Sequence, residues 1–190
     1  MKEIRRVFFE RPVPAAAFLL VFLIVAAAAA LAGARALRDR SNLQTGGARW
    51  IWFAVDIEEP KPVHFFARRD FALARVPRSA TALLFVDRQG VLTVNSSRFR
   101  LPEQRPGSPL AAVEIAPALN AGVNRVGIEA ESPTGAGGIL FHLDLPGGEH
   151  VDSDATWRVS GSSQELSRGA GTPAAVWGRP PMYPWKYPRK

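Results

Sequence analysis

Residues 124–131, Asn-Arg-Val-Gly-Ile-Glu-Ala-Glu, place Val126, Ile128 and Ala130 on one side and Arg125, Gly127, Glu129 and Glu131 on the other. A period of two is the pattern of a strand with one buried and one wet face. It constrains the chain strongly because the same signal recurs in short stretches from Trp50 onward. Gly138–Leu145 repeats it, with Phe141, Leu143 and Leu145 inward and His142 and Asp144 outward. Further strands are expected at Trp50–Val55, Val63–Leu73, Thr81–Val86, Val91–Phe99, Ala111–Ile115 and Thr156–Val159. Turn chemistry separates them at Asp87-Arg88-Gln89-Gly90, Asn120-Ala121-Gly122 and Pro133-Thr134-Gly135. Short strands at this spacing predict an all-β sandwich over residues 49–160, sufficient for one core between two sheets.

Upstream the pattern is different. No charged residue lies between Arg11 and Arg35, and from Ala15 to Ala32 almost every side chain is apolar. About 20 such residues are needed to cross a bilayer, so a transmembrane helix is expected over 12–34, with Pro12 and Pro14 at its start. A cytoplasmic leader, 1–11, would precede it and a stalk, 35–48, would follow. Lys2, Arg5 and Arg6 ahead of Ala30-Leu31-Ala32 also fit a cleaved signal peptide, but the run exceeds the usual signal core of about 7–15 residues, which favours a retained anchor. Basic residues flank the run on both sides, so charge does not orient it.

The chain carries 24 Lys plus Arg against 17 Asp plus Glu, a net +7, and no cysteine. That excess lies in residues 1–40 and 167–190, while residues 41–166 are slightly acidic. A nucleic-acid-binding domain needs its cations on the folded surface, so nucleic acid is excluded as the expected partner. Arginine dominance with abundant Ala, Gly and Pro fits GC-rich bacterial coding. Residues 161–190 form a Gly/Ser/Pro-rich basic tail ending in Trp177-Gly-Arg-Pro-Pro-Met-Tyr183-Pro-Trp185-Lys-Tyr-Pro188, whose prolines predict an extended chain.

The landmarks have a characteristic order. Trp50-Ile51-Trp52 opens the domain, and Phe66-Ala-Arg-Arg-Asp-Phe-Ala-Leu73 and Ala80-Thr-Ala-Leu-Leu-Phe-Val-Asp87 follow. Leu119-Asn-Ala-Gly-Val-Asn-Arg-Val126 then precedes a strand pair, and Asp152-Ser-Asp-Ala-Thr-Trp-Arg-Val159 closes the domain. This order resembles the galactose-binding-like jelly-roll accessory domain of bacterial α-L-rhamnosidases and the sugar-binding domain of β-galactosidase-type glycoside hydrolases. The chain departs from it at Asn95-Ser96-Ser97, where the family usually has an Asn-Gly hairpin. The resemblance implies no glycosidase activity, because those enzymes carry their catalytic carboxylates in a separate domain. It also allows a structural calcium, for which Asp152 and Asp154 could supply oxygens, although six to eight ligands are needed. His64, His142 and His150 lack metal-site spacing, and Gly135-Ala-Gly-Gly138 lacks the Lys and helix of a phosphate loop.

Two functional readings follow. The first is a non-catalytic, membrane-anchored carbohydrate-binding module at the bacterial cell envelope, single-pass in the inner membrane, with its N-terminus cytoplasmic and its β-domain outside. Sugar sites combine a stacking aromatic with polar side chains, which makes Trp50, Trp52, Trp177, Tyr183 and Trp185 the aromatic candidates and Asp56, Glu58 and Arg158 the polar ones. Trp50 and Trp52 can equally be strand packing, since alternate positions share a face, and Trp157 is read as core. The alternative is a structural or assembly protein that docks an envelope or membrane partner through its sandwich and residues 168–190, with Arg179, Lys186, Arg189 and Lys190 meeting acidic groups. The tail can also fold back and close a sheet edge.

Overall fold

Strand alternation and turn residues together build two antiparallel sheets. The computed structural model describes residues 20–33, 45–53, 62–133 and 137–180. The chain forms two units, residues 1–40 and residues 41–190. Within the first, residues 20–33 are an α-helix (α1) whose Leu20, Val21, Phe22, Leu23, Ile24, Val25 and Leu31 are more than half exposed. Among the described residues no helix is long and apolar enough to cross a membrane. The expected transmembrane helix over 12–34 is corrected accordingly, and with it the single-pass topology, the inner-membrane location and the membrane as partner. Residues 1–19 and 34–44, including the expected leader and most of the stalk, lie outside the described residues.

Among its described residues the second unit contains twelve strands. They are β1 (Trp50–Trp52), β2 (Val63–Leu73), β3 (Thr81–Val86), β4 (Gln89–Val94), β5 (Ser97–Arg100), β6 (Ala111–Glu114), β7 (Gly122–Ser132), β8 (Ile139–Asp144), β9 (His150–Asp152), β10 (Arg158–Ser160), β11 (Thr172–Pro173) and β12 (Ala175–Gly178). A short 3-10 turn, η1 (Ala116–Ala118), precedes β7, and a helical turn, α2 (Ser163–Ser167), follows β10. Sheet I runs β12-β1-β8-β3-β6, with β9 also paired to β8, and sheet II runs β11-β10-β2-β7-β4-β5. The longest ladder joins β2 and β7 from Val63↔Ser132 to Leu73↔Gly122.

The main core draws on both sheets. Phe65, Ala67, Leu92, Val126 and Ile128 of sheet II pack with Ile51, Ala82, Leu84, Ile139, Phe141 and Leu143 of sheet I, joined by Trp157. A second, smaller cluster of Ala48, Trp50, Phe85 and Leu140 lies apart from it. This explains why β8 is buried at five consecutive positions, Ile139 to Leu143, rather than alternating. His142, expected to face outward, is 3% exposed because the segment around Gly46 and Gly47 lies against it.

Several strands end where the sequence places them, notably Val63–Leu73 and Thr81–Val86. The expected strand Val91–Phe99 is instead a hairpin, β4 and β5, with Val94 opposite Ser97 and Asn95-Ser96 as its loop. Asn95 takes φ +52°, a conformation Asn tolerates better than most residues. Its side chain explains the departure from Asn-Gly: Nδ2 donates to Ala118 O at 2.7 Å and Asn124 Oδ1 at 2.9 Å, and Oδ1 accepts from Arg125 N at 3.0 Å. The turn is tied to the segment entering β7. Residues 163–178, expected to be an extended tail, instead carry α2, β11 and β12, and β12 pairs with β1. Pro173 is tolerated because β11 is an edge strand. Ser162 caps α2 by accepting from Glu165 N, and Arg68 Nη1 donates to Leu166 O, fixing the turn to β2.

Candidate functional site

The segment leading into β1 carries two glycines, and both make close approaches. A Cβ on Gly46 would lie 2.5 Å from His142 Cε1, and one on Gly47 would lie 2.8 Å from Asp152 Oδ2. Without side chains there, Gly47 N donates to Asp152 Oδ2 at 2.8 Å. His142 stands between two carboxylates, with Nδ1 2.6 Å from Asp152 Oδ1 and Nε2 3.1 Å from Asp144 Oδ1. Burial pushes its pKa down, but the hydrogen bond to Asp152 and the charges of Asp152 and Asp144 outweigh this, leaving it raised. Ser153 completes the clasp: its Oγ donates to Arg49 O at 2.7 Å, and its carbonyl accepts from Arg49 N at 2.8 Å.

Beside this clasp opens a cleft of about 500 Å³ lined by Gly47, Arg49, Arg69, Phe71, the segment from His150 to Asp152, the segment from Asp154 to Thr156, and Arg179. It is walled by both sheets, through β2 on one side and β9 on the other. Arg69 and Phe71 share the β2 face that carries Phe65 and Ala67 into the core. That face is buried in the main core at Phe65, Ala67 and Leu73, and between Ala67 and Leu73 it carries Arg69 and Phe71, which line the cleft. The cleft's carboxylates are engaged by neighbours: Asp152 as above, and Asp154 by the backbone N–H of Thr156 at 2.8 Å and by the Thr156 hydroxyl. The guanidinium groups of Arg49, Arg69 and Arg179 have no ion-pair partner among the described residues.

The residues singled out in the sequence are not brought together. Trp50 is fully buried, edge-on to Phe85 with ring centroids 5.3 Å apart, and Trp52 is 2% exposed against Phe65 at 4.8 Å. They belong to different clusters, because the register shifts between Trp50 and Ile51. Trp177 is half-buried against both clusters, and its Nε1 is buried with no hydrogen-bond partner among the described residues. Arg158 is exposed on β10 and does not line the cleft. Asp56, Glu58, Tyr183 and Trp185 lie outside the described residues. Asp152 and Asp154 both border the cleft, yet no group of three or more His, Cys, Asp or Glu among the described residues is arranged to hold a metal. Trp157 is core, with Nε1 donating to Asp152 O at 2.9 Å and its ring tilted on Phe141. Arg69 and Phe71 were missed as site residues; the signal for them was an arginine at an inward-facing position of β2.

This architecture is an all-β galactose-binding-like jelly roll. Among solved structures it is similar to the Streptomyces avermitilis α-L-rhamnosidase complexed with L-rhamnose (TM-score 0.63, 20% identity, covering 76% of this chain and 16% of that one). A GH78 family rhamnosidase of Bacillus sp. GL1 matches with TM-score 0.64 and 20% identity over 74% of this chain and 19% of that one. The lectin from Pleurotus ostreatus in complex with GalNAc matches with TM-score 0.63 and 21% identity over 74% of this chain and 44% of that one. The chain therefore corresponds to less than half the length of each. The sequence matches no protein-family model and no curated protein.

Proposed function

We propose that the chain is a non-catalytic β-sandwich module that recognises a glycan at the cleft between β2 and β9. The observation that carries this reading is the cleft itself. It has the volume of a small-ligand site, one aromatic wall at Phe71, and polar side chains contributed by separate segments of a rigid scaffold. The Pleurotus ostreatus lectin in complex with GalNAc, and the rhamnosidase complexed with L-rhamnose, support it as proteins of similar fold that bind sugars. The reading involves no membrane anchor. Its test is a glycan array probed with the full chain, followed by calorimetry on the sugars retained. Retention of a defined glycan class, lost on Phe71→Ala, is the expected result, and no retention across the array overturns it.

A second reading is an assembly domain that docks a protein partner, and it rests on the open sheet edges. Among the described residues β6 pairs only with β3, and β5 only with β4, so each presents backbone groups to which a partner strand could add. Ala112→Pro on β6 that abolishes a purified partner's binding while leaving glycan binding intact is the outcome that favours this second reading.

A further inference from the structure

The charge balance of the cleft narrows the ligand class. Three guanidinium groups line it from three separate places: Arg49 ahead of β1, Arg69 on β2 and Arg179 after β12. None has an ion-pair partner among the described residues, whereas both carboxylates at the cleft, Asp152 and Asp154, accept hydrogen bonds from the protein's own groups. Free hydrogen-bonding capacity on this wall is therefore weighted towards cationic donors. Arg69 is the most informative of the three. A half-buried arginine at an inward-facing strand position loses hydration that no carboxylate among the described residues restores. Such a group is best satisfied by an anion that enters the cleft. A guanidinium offers a planar fork of donors that matches a carboxylate in bidentate fashion. Phe71, two residues along the same face, adds an apolar surface at the distance of one strand repeat.

We propose that the cleft binds a carboxylate-bearing sugar, a uronic-acid residue of an acidic glycan, with Arg69 contacting the carboxylate and Phe71 packing on the ring. This rests on the glycan-recognition reading above and adds the ligand's charge to it. Arg49 and Arg179, both exposed at the rim, supply longer-range attraction and make binding salt-dependent.

The test is calorimetry on the full chain with trigalacturonate, its methyl ester, neutral galactotriose and inorganic phosphate. The expected result is binding of trigalacturonate roughly tenfold or more tighter than its ester, the factor that loss of one charged hydrogen-bonding contact implies. Arg69→Gln and, independently, Arg179→Gln should each weaken the acid and leave the ester unchanged. Arg179 is exposed, so its variant keeps the test valid if Arg69→Gln misfolds. Arg105→Gln, the same charge change at an exposed site whose guanidinium contacts Glu103, should alter nothing. Equal affinity for acid and ester, or for galactotriose, overturns this inference while leaving glycan recognition standing. Phosphate binding as tight as trigalacturonate overturns it in favour of a general anion site. Absence of binding to all three sugars overturns this inference, and absence of retention across the glycan array as well overturns the proposed function.

Discussion

Asn124 offers a sharp test of how the sandwich is held together. Its side chain is fully buried at the start of the β7 ladder, and all of its capacity is used. Oδ1 accepts from Asn120 N at 2.7 Å and Asn95 Nδ2 at 2.9 Å, while Nδ2 donates to Asn120 O at 2.7 Å and Gly122 O at 3.1 Å. Replacement by Ala removes four hydrogen bonds, each contributing about 1 kcal/mol net. Asn95 Nδ2 keeps its bond to Ala118 O, so its loss is the smallest. The expected destabilisation is about 3 kcal/mol, or roughly 6–12 °C in Tm for a unit of this size. Urea unfolding of the full chain, followed by tryptophan fluorescence, reads it as a lowered midpoint with an unchanged slope. Asn124→Asp keeps the shape and both acceptor roles but turns an acceptor towards two carbonyls, so it should be destabilised at pH 7 and recover in part on acidification. A loss below about 1 kcal/mol for the Ala variant, or no pH dependence for the Asp variant, would refute the account of this residue as the tie between the β4–β5 turn and β7.

Three further outcomes follow from the same geometry. Gly137→Ala should destabilise by about 1–3 kcal/mol, because its Cβ would lie 2.3 Å from Trp52 Cη2 in the packed core; an unchanged thermal midpoint would contradict that packing. The raised pKa of His142 means that its contribution to stability is complete below about pH 6.5 and is lost as pH rises through the raised value. The facing groups are Asp144, Asp152 and His150. Tm should therefore fall from pH 6 to pH 9 in the native chain and fall less in His142→Gln, as read by calorimetry across that range. Asp70, held to about 2 first by the hydrogen bond from Arg68, opposed by partial burial, and further by Arg125, is stabilising above about pH 4 and loses that contribution as pH falls through 2. Its site is a solvent-screened surface, so Asp70→Asn should cost less than about 1 kcal/mol at pH 7, and a larger loss in urea unfolding would show that the Arg68–Asp70–Arg125 group does more than pair at the surface.

The long strands were legible because one face of each meets the core and the other meets water or charge. The residues from Val63 to Leu73 and from Thr81 to Val86 carry that signal directly. Three things were not legible for the same physical reason: they depend on what covers a strand's second face or edge. His142 reads as a wet position until the Gly46-Gly47 segment is laid over it. Trp50 and Trp52 read as one face until the bulge between Trp50 and Ile51 separates them. β9, β11 and β12 are two to four residues long, too short to show a period, and their pairing is decided by partners distant in the sequence. The apolar character of residues 20–33 was evident from composition, and these side chains are exposed in α1. Among the site residues, Arg69 was hidden because an arginine in a strand is ordinarily taken for its wet face.

The pairing of β1 with β12 also has a mechanical meaning. The two strands run antiparallel, with Trp50 opposite Gly178, so both ends of the sandwich leave from the same end of one ladder. Tension applied to those ends would open that ladder one rung at a time, as a zipper, rather than shear all its bonds at once. The first rungs to part flank Arg49 and Arg179, so the rim of the cleft would be the first feature lost under load.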